Sequence, residues 1–213
     1  MRGLVTFEGI EGSGKSTQIK LAAAYLEEKK IPFLLTAEPA GTSIGAKIAD
    51  VLFNRGHFAM CAETELLLFC AARAQHVREK IMPALQKGAT VLCDRFSDAT
   101  YAYQGFGRGL DKKLIKIIND YSSLGIRPDM TLLFDLPAEK GLQRAVKRND
   151  ALADAFSFDR FEKENIDFHN RVREGYLSIY REEPGRFRLV DAAADVQIVQ
   201  KEVRRHLTEF INS

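Results

Sequence analysis

An α/β fold, a five-stranded parallel sheet with helices on both faces, is what this chain of 213 residues predicts, and three observations carry the prediction. Short apolar runs rich in β-branched or aromatic residues alternate with longer helical periodicities from one end of the chain to the other. No internal repeat and no Pro/Gly/Ser-rich linker breaks the alternation, so one domain over 1–213 is expected. Carboxylates, glycines and an arginine follow the strand-like runs directly, where an open parallel sheet binds its ligands.

The strand-like runs are Leu4–Phe7, Phe33–Thr36, Thr90–Cys93, Thr131–Phe134 and Phe187–Val190. Helical periodicities fill 15–29, 43–53, 62–86, 111–122, 137–148, 160–182 and 195–211. Gly88 follows Lys87 as a stop for the third helix. Asn149 to Ser157 suits no regular element and follows a basic cluster, so a mobile flap is expected at about 148–160. The run Gly105-Phe-Gly107-Arg-Gly109 follows no strand and has the wrong spacing for a dinucleotide site, so it reads as a flexible loop.

Charged residues make up 28% of the chain and apolar ones 46%, as in an ordinary soluble domain. A net charge of +2 lacks the strongly basic footprint of a nucleic-acid binder, so cations for phosphates must be local. No apolar run approaches the roughly eighteen residues of a membrane span, and the first strand begins too early for a signal peptide. A cytoplasmic protein is expected. Cys61, Cys70 and Cys93 lack C-x-x-C spacing and sit among apolar neighbours, which reads as buried free thiols in a reducing compartment.

Residues 9–16 carry the chemistry. They read Gly-Ile-Glu-Gly-Ser-Gly-Lys-Ser, the phosphate-loop pattern G-x-x-x-x-G-K-[ST], set between a strand and a helix as that motif requires. Its glycines let consecutive backbone N–H groups curl around an anion. Lys15 can then reach the β- and γ-phosphates of ATP, and the Ser16 hydroxyl can hold Mg²⁺ at the helix N-terminus. The expected ATP contacts are Gly9, Ile10, Glu11, Gly12, Ser13, Gly14, Lys15, Ser16 and Thr17, on the three-layer P-loop NTPase fold. Asp94 ends an apolar strand, which suits a second Mg²⁺ ligand, direct or through water. Arg95 follows at once and is placed to grip a second phosphate bidentately.

Beyond the loop, the chain carries Glu38-Pro39-x-Gly41-Thr42, Leu68-Phe69-Cys70-Ala71-Ala72-Arg73 and Cys93-Asp94-Arg95-Phe96. Further on come Ala102-Tyr103-Gln104-Gly105-x-Gly107-Arg108-Gly109, Arg127-Pro128-Asp129 and Asp159-Arg160-Phe161-Glu162. In this order they resemble the bacterial thymidylate kinase family of nucleoside monophosphate kinases, over nearly the whole chain. The resemblance implies transfer of the γ-phosphoryl group of ATP to dTMP, with Mg²⁺, in a homodimer. It places Phe69 against the pyrimidine and Arg73 at the thymine O4. Either Gln104 or Thr100 would meet the thymine N3–H, and Tyr103 would lie along the sugar. Glu11 would face the acceptor's sugar and phosphate, Arg95 would hold that phosphate, and Glu38 or a neighbour would organise the far side. Ala37 and Ala40 depart from the family pattern, which commonly has Arg and Gly there.

Transfer between polyanions needs a further cation, and the loop's variable positions Ile10, Glu11, Gly12 and Ser13 supply none. The flap is the expected source, through Arg148 or Arg160, with Lys147 beside them. Two other functions fit a phosphate loop: a kinase for another nucleoside or nucleoside monophosphate, and an ATPase switch that works through a partner. No Asn-Lys-x-Asp guanine signature supports the switch.

Overall fold

The computed structural model describes residues 3–54, 56–151, 160, 161 and 163–213. All five expected strands form, each running at least one residue further at its C-terminal end: β1 Leu4–Glu8, β2 Phe33–Ala37, β3 Thr90–Asp94, β4 Met130–Asp135 and β5 Phe187–Asp191. They pair in parallel in the order β2-β3-β1-β4-β5. Every residue of the central β1 is buried. Neighbouring residues of a strand face opposite sides, so burial throughout requires cover on both faces. Leu4 packs with Val77, Ile81 and Leu85. Val5 shares a core with Ile19, Ala22 and Leu26 of the helix α1 Lys15–Glu28. The register sets Phe7 and Ala37 beside Asp94, and Glu8 beside Leu133, so the strands deliver their last residues to one edge.

The helix α2 Ser43–Phe53 is capped by Thr42, whose Oγ1 accepts from the Gly45 N–H at 2.9 Å. The helix expected over 62–86 is continuous but not uniform. It runs as α3 Ala62–His76, a π-helical stretch Val77–Ile81, and α4 Met82–Gln86. The widening accommodates Pro83, which has no N–H to return to the preceding turn. Gly88, at φ 73°, ends the helix as expected. The expected loop at 105–109 is largely helical instead. After α5 Ser97–Thr100, a second π-helical stretch spans Tyr101–Gly107. Glycines serve packing on both sides of this stretch: a Cβ on its own Gly107 would meet the Phe168 ring at 2.7 Å, and one on Gly175, opposite it, would meet Phe106 at 2.9 Å. Helices α6 Lys112–Ser122, α7 Ala138–Ala151, α8 Ile166–Glu182 and α9 Val196–Ile211 follow. The helix expected from residue 160 starts at Ile166, because the Asn165 Oδ1 takes the Phe168 N–H at 2.8 Å and caps it there. Of the expected flap, the backbone of α7 continues to Ala151, while 152–159 and the side chain of Arg148 lie outside the described residues.

Cys70 and Cys93 are buried as expected, but Cys61 is exposed, because it stands at the open start of α3. Among the described residues no helix is long and apolar enough to cross a membrane.

One close contact positions α7. A Cβ on Gly12 would fall 2.0 Å from the Gly141 carbonyl oxygen, and one on Gly141 would fall 2.5 Å from that of Glu11. Gly12 is also left-handed, at φ 71°. The phosphate loop and the first turn of α7 therefore meet backbone to backbone. Gly141→Ala is expected to destabilise the fold by about 1–3 kcal/mol through overpacking. It should also raise the KM for ATP, because the loop must move. Thermal melts and ATP titrations check this, and wild-type values in both would contradict the contact.

Candidate active site

A cavity of about 470 Å³ opens at the C-terminal edge of the sheet. Glu11, Gly12, Gly14, Lys15, Ser16 and Thr17 line one end, and Phe53, Phe69, Arg73, Thr100, Gln104 and Phe161 the other. Glu38, Asp94, Arg95 and Tyr103 lie along it. Gly9, Ile10 and Ser13, expected at ATP, do not line it. Ile10 is core, and the Ser13 hydroxyl donates to the Ile10 carbonyl at 2.8 Å, which braces the loop from behind.

Lys15 is folded into its own loop. Its Nζ donates to the Ile10 carbonyl at 2.8 Å and to Ser13 Oγ at 3.3 Å. Burial, and then the neighbouring charge of Arg95, pulls its ammonium down to about 8. Ser16 donates to Asp94 Oδ2 at 2.9 Å. A hydroxyl and one carboxylate make a donor set that fits Mg²⁺, which keeps waters and substrate oxygens in its shell. Among the described residues no group of three or more His, Cys, Asp or Glu side chains could hold a metal.

Arg95 joins the two ends. It adopts φ 68°, unusual for a residue with a side chain, and this turns it back across the strand ends. Nη1 donates to the Gly9 carbonyl at 3.0 Å and to the Tyr176 hydroxyl at 3.1 Å, and Nη2 to Glu11 at 2.9 Å. Its guanidinium lies 4.8 Å over the Tyr103 ring. An arginine has five N–H donors, so one on Nε and one on Nη2 remain for a bidentate grip on a phosphate. The Tyr103 hydroxyl donates to both Glu11 oxygens, at 2.7 and 2.8 Å. Burial opposes the charge on Glu11, but Arg95, His169 and Lys15 outweigh it and hold the carboxyl well below its usual range. Glu8, fully buried, accepts from the Phe96 N–H at 2.7 Å and the Tyr176 hydroxyl at 2.8 Å. Burial, then repulsion from Asp98, pushes its carboxyl up to about 8.

At the other end, Arg73 is almost wholly committed to the protein. Nε donates to Glu38 at 2.9 Å, Nη1 to Asn119 at 2.6 Å, and Nη2 to the Phe96 carbonyl and Thr100 Oγ1 at 3.1 and 3.0 Å. One Nη1 hydrogen is left for a base. Glu38 also takes His76 Nδ1 at 3.2 Å, while His76 Nε2 meets Thr36 Oγ1 at 2.7 Å. Glu38 thus anchors its own loop and Arg73, with Ala37 and Ala40 contributing no charge. Phe69 lines the cavity beside Phe53 and Phe161, their ring centroids 6.4 and 6.1 Å away.

Arg160 is expected from the sequence to carry catalytic charge. It is absent from the cavity wall. Glu65 and the Leu52 carbonyl bind its guanidinium, which lies 4.8 Å over the Phe161 ring. Its charge supports the aromatic end of the site and is far from idle. Besides Arg73 and Arg95, Arg144 of α7 lines the cavity, and its Nη1 also donates to the Ala192 carbonyl at 2.7 Å. Sequence reasoning passed over it, although Lys140, Arg144 and Arg148 recur at a helical spacing of four that marks one face. Tyr176, His76 and Glu65 gave no such signal.

Residues 7–203 match the thymidylate kinase family. The chain belongs to that family. It is 53% identical over 207 residues to the thymidylate kinase of Syntrophus aciditrophicus, covering 97% of this chain and 94% of that one. With the thymidylate kinase of Geobacter sulfurreducens it shares 50% identity over 193 residues, covering 91% and 90%. Its fold is similar to the crystal structure of thymidylate kinase from Ehrlichia chaffeensis, with a TM-score of 0.77 and 32% identity over 97% of this chain and 98% of that one.

The state of Lys15 yields a pH dependence. A triphosphate needs the charged lysine, and with the free-site value near 8 the charge is lost as pH rises through that point. ATP affinity should be level below about pH 7.5 and weaken by up to about tenfold per unit above about 8. Calorimetry in buffers of differing ionisation enthalpy should then record proton uptake on binding. Affinity unchanged through about pH 9.5 would contradict the perturbed lysine.

Proposed function

We propose that the chain is an ATP-dependent dTMP kinase, moving the γ-phosphoryl group of ATP to the phosphate of dTMP in the cytoplasm. One observation carries the reading: a single cavity joins the phosphate loop to an aromatic, hydrogen-bonding pocket, with Arg95 between them. A nucleotide switch needs no second pocket.

In this reading the loop and Lys15 hold the ATP phosphates. Ser16 and Asp94 would hold Mg²⁺, which supplies positive charge to the transferring group. Arg95 uses its two remaining donors on the dTMP phosphate. Glu11 holds both Arg95 and Tyr103 in place, so the acceptor phosphate and sugar meet a rigid surface. Phe69 and Phe161 enclose the pyrimidine, and Arg73 offers its last N–H to O4. The acceptor oxygen is largely ionised at neutral pH, so no general base is required. Arg144, brought against the loop by the Gly12–Gly141 contact, is our source of added charge, with Arg148 one turn further on.

A homodimer is also proposed. Helix α2 packs on α3 and α3 on α6. Together these helices expose Ile44, Leu67, Leu114, Ile117 and Tyr121, the last 84% exposed. That apolar surface fits a second copy of the chain.

ADP release, measured with ATP and dTMP, dUMP, dCMP or dGMP in turn, tests the activity. Release should depend on the acceptor and favour dTMP. Acceptor-independent hydrolysis would overturn the kinase reading. Arg144→Ala should lower kcat by at least about a hundredfold, because its contact strengthens in the transition state, with little change in the KM for dTMP. Wild-type single-turnover rates would remove Arg144 from the chemistry.

A further inference from the structure

Gln104 presents an amide whose two ends ask opposite things of a base. Its carbonyl accepts a hydrogen bond and its NH₂ donates one, and nothing in the residue decides which end faces the cavity. Glu65 decides it. Gln104 Nε2 donates to Glu65 Oε1 at 2.8 Å, deep in the protein, where Glu65 is 0% exposed and Gln104 2% exposed. A carboxylate only accepts, so the NH₂ end must point to Glu65 whatever the identity assigned to the two amide atoms.

Glu65 cannot turn away from this contact. Arg108 grips it through Nε and Nη2 at 3.1 and 3.0 Å, and Arg160 binds its other oxygen. Arg108 is itself held by Glu164 and lies 4.6 Å over the Phe168 ring. Three side chains therefore converge on one buried carboxylate, two of them cationic. The Gln104 carbonyl is left as the end available to the cavity that Gln104 lines, and no donor among the described residues takes it.

We infer that Glu65 is a specificity-positioning residue: by fixing the Gln104 amide with its carbonyl toward the cavity, it selects pyrimidines that carry an N3 hydrogen. Thymine and uracil have that donor. Cytosine has a lone pair at N3, which would face the carbonyl oxygen acceptor to acceptor. The inference rests on the reading that the base lies between Phe69, Phe161 and Gln104. Glu65 acts through Gln104 and touches no substrate.

The test compares kcat/KM for dTMP, dUMP and dCMP in the wild type, Glu65→Gln, Glu65→Asp and Gln104→Leu. A glutamine at 65 offers both a donor and an acceptor, so the Gln104 amide gains its second orientation. The dTMP/dCMP ratio should fall about tenfold or more, while dTMP/dUMP, which shares the N3 hydrogen, stays within about twofold. A purely structural role would lower all three rates together and leave both ratios intact. Glu65→Asp retains the charge for Arg108 and Arg160 but withdraws it from Gln104, so it reads the same ratio in a variant that keeps the buried ion pairs. Gln104→Leu reports on the base position alone. If Gln104→Leu lowers dTMP/dCMP and neither Glu65 variant does, the base is where we place it and the role of Glu65 is overturned. If Gln104→Leu leaves the ratio unchanged, the base lies elsewhere and the inference falls with that reading.

Discussion

The Arg95 guanidinium is the contact on which the rest of the site depends. It leaves β3 through a left-handed turn and ties together the phosphate loop, α8 and the π-helical stretch, by way of Gly9, Tyr176 and Tyr103. A buried cation tolerates this position because Glu11 faces it directly and the Gly9 carbonyl and Tyr176 hydroxyl accept its other hydrogens. Each neighbour is then fixed in turn. Glu11 can hold Tyr103 because it is held itself, and Tyr103 brings with it the helical stretch that carries Gln104. Fork geometry matters more here than charge. A lysine would supply the charge and could not satisfy three acceptors in one plane.

The cavity has two ends with different physics. At the phosphate end the protein gathers cations, and it does so at the expense of Lys15, whose proton is loosened by burial and by Arg95. A bound polyanion favours the charged lysine, so ligand binding and protonation of Lys15 are coupled. At the base end the polar groups are already satisfied. Arg73 has four of its five donors engaged, and Glu65 has a full complement of partners. A pocket built this way reorganises little on binding and discriminates by the few atoms it leaves unpaired.

The sheet and the phosphate end were legible in the sequence because their signals are local. Strands announce themselves by composition, and the loop, Asp94 and Arg95 sit immediately after them, where the register delivers them to one edge. The surroundings of Arg160 were hidden for the opposite reason. Its neighbours in the chain suggested a phosphate contact, but its partner Glu65 lies 95 residues away and could not be read from spacing. Glu65 itself looks like a solvated charge in the first turn of a helix, and only tertiary contacts with Gln104 and Arg108, 39 and 43 residues on, bury it. The glycines at 105 and 107 misled similarly. Local propensity reads them as loop, whereas both lie within a helix, where Gly107 makes room for Phe168 of α8 and Gly105 faces Ile115 of α6.

The most direct test of Arg95 as organiser and acceptor ligand is calorimetric titration of Arg95→Lys with dTMP and, separately, with ATP. Charge is preserved, so any change reports the fork. The dTMP affinity should fall at least about a hundredfold, since a bidentate charged contact and its supports are lost, while ATP, held by the loop and Lys15, should bind within a few-fold of wild type. Undiminished dTMP binding by the lysine variant would contradict the account at its centre.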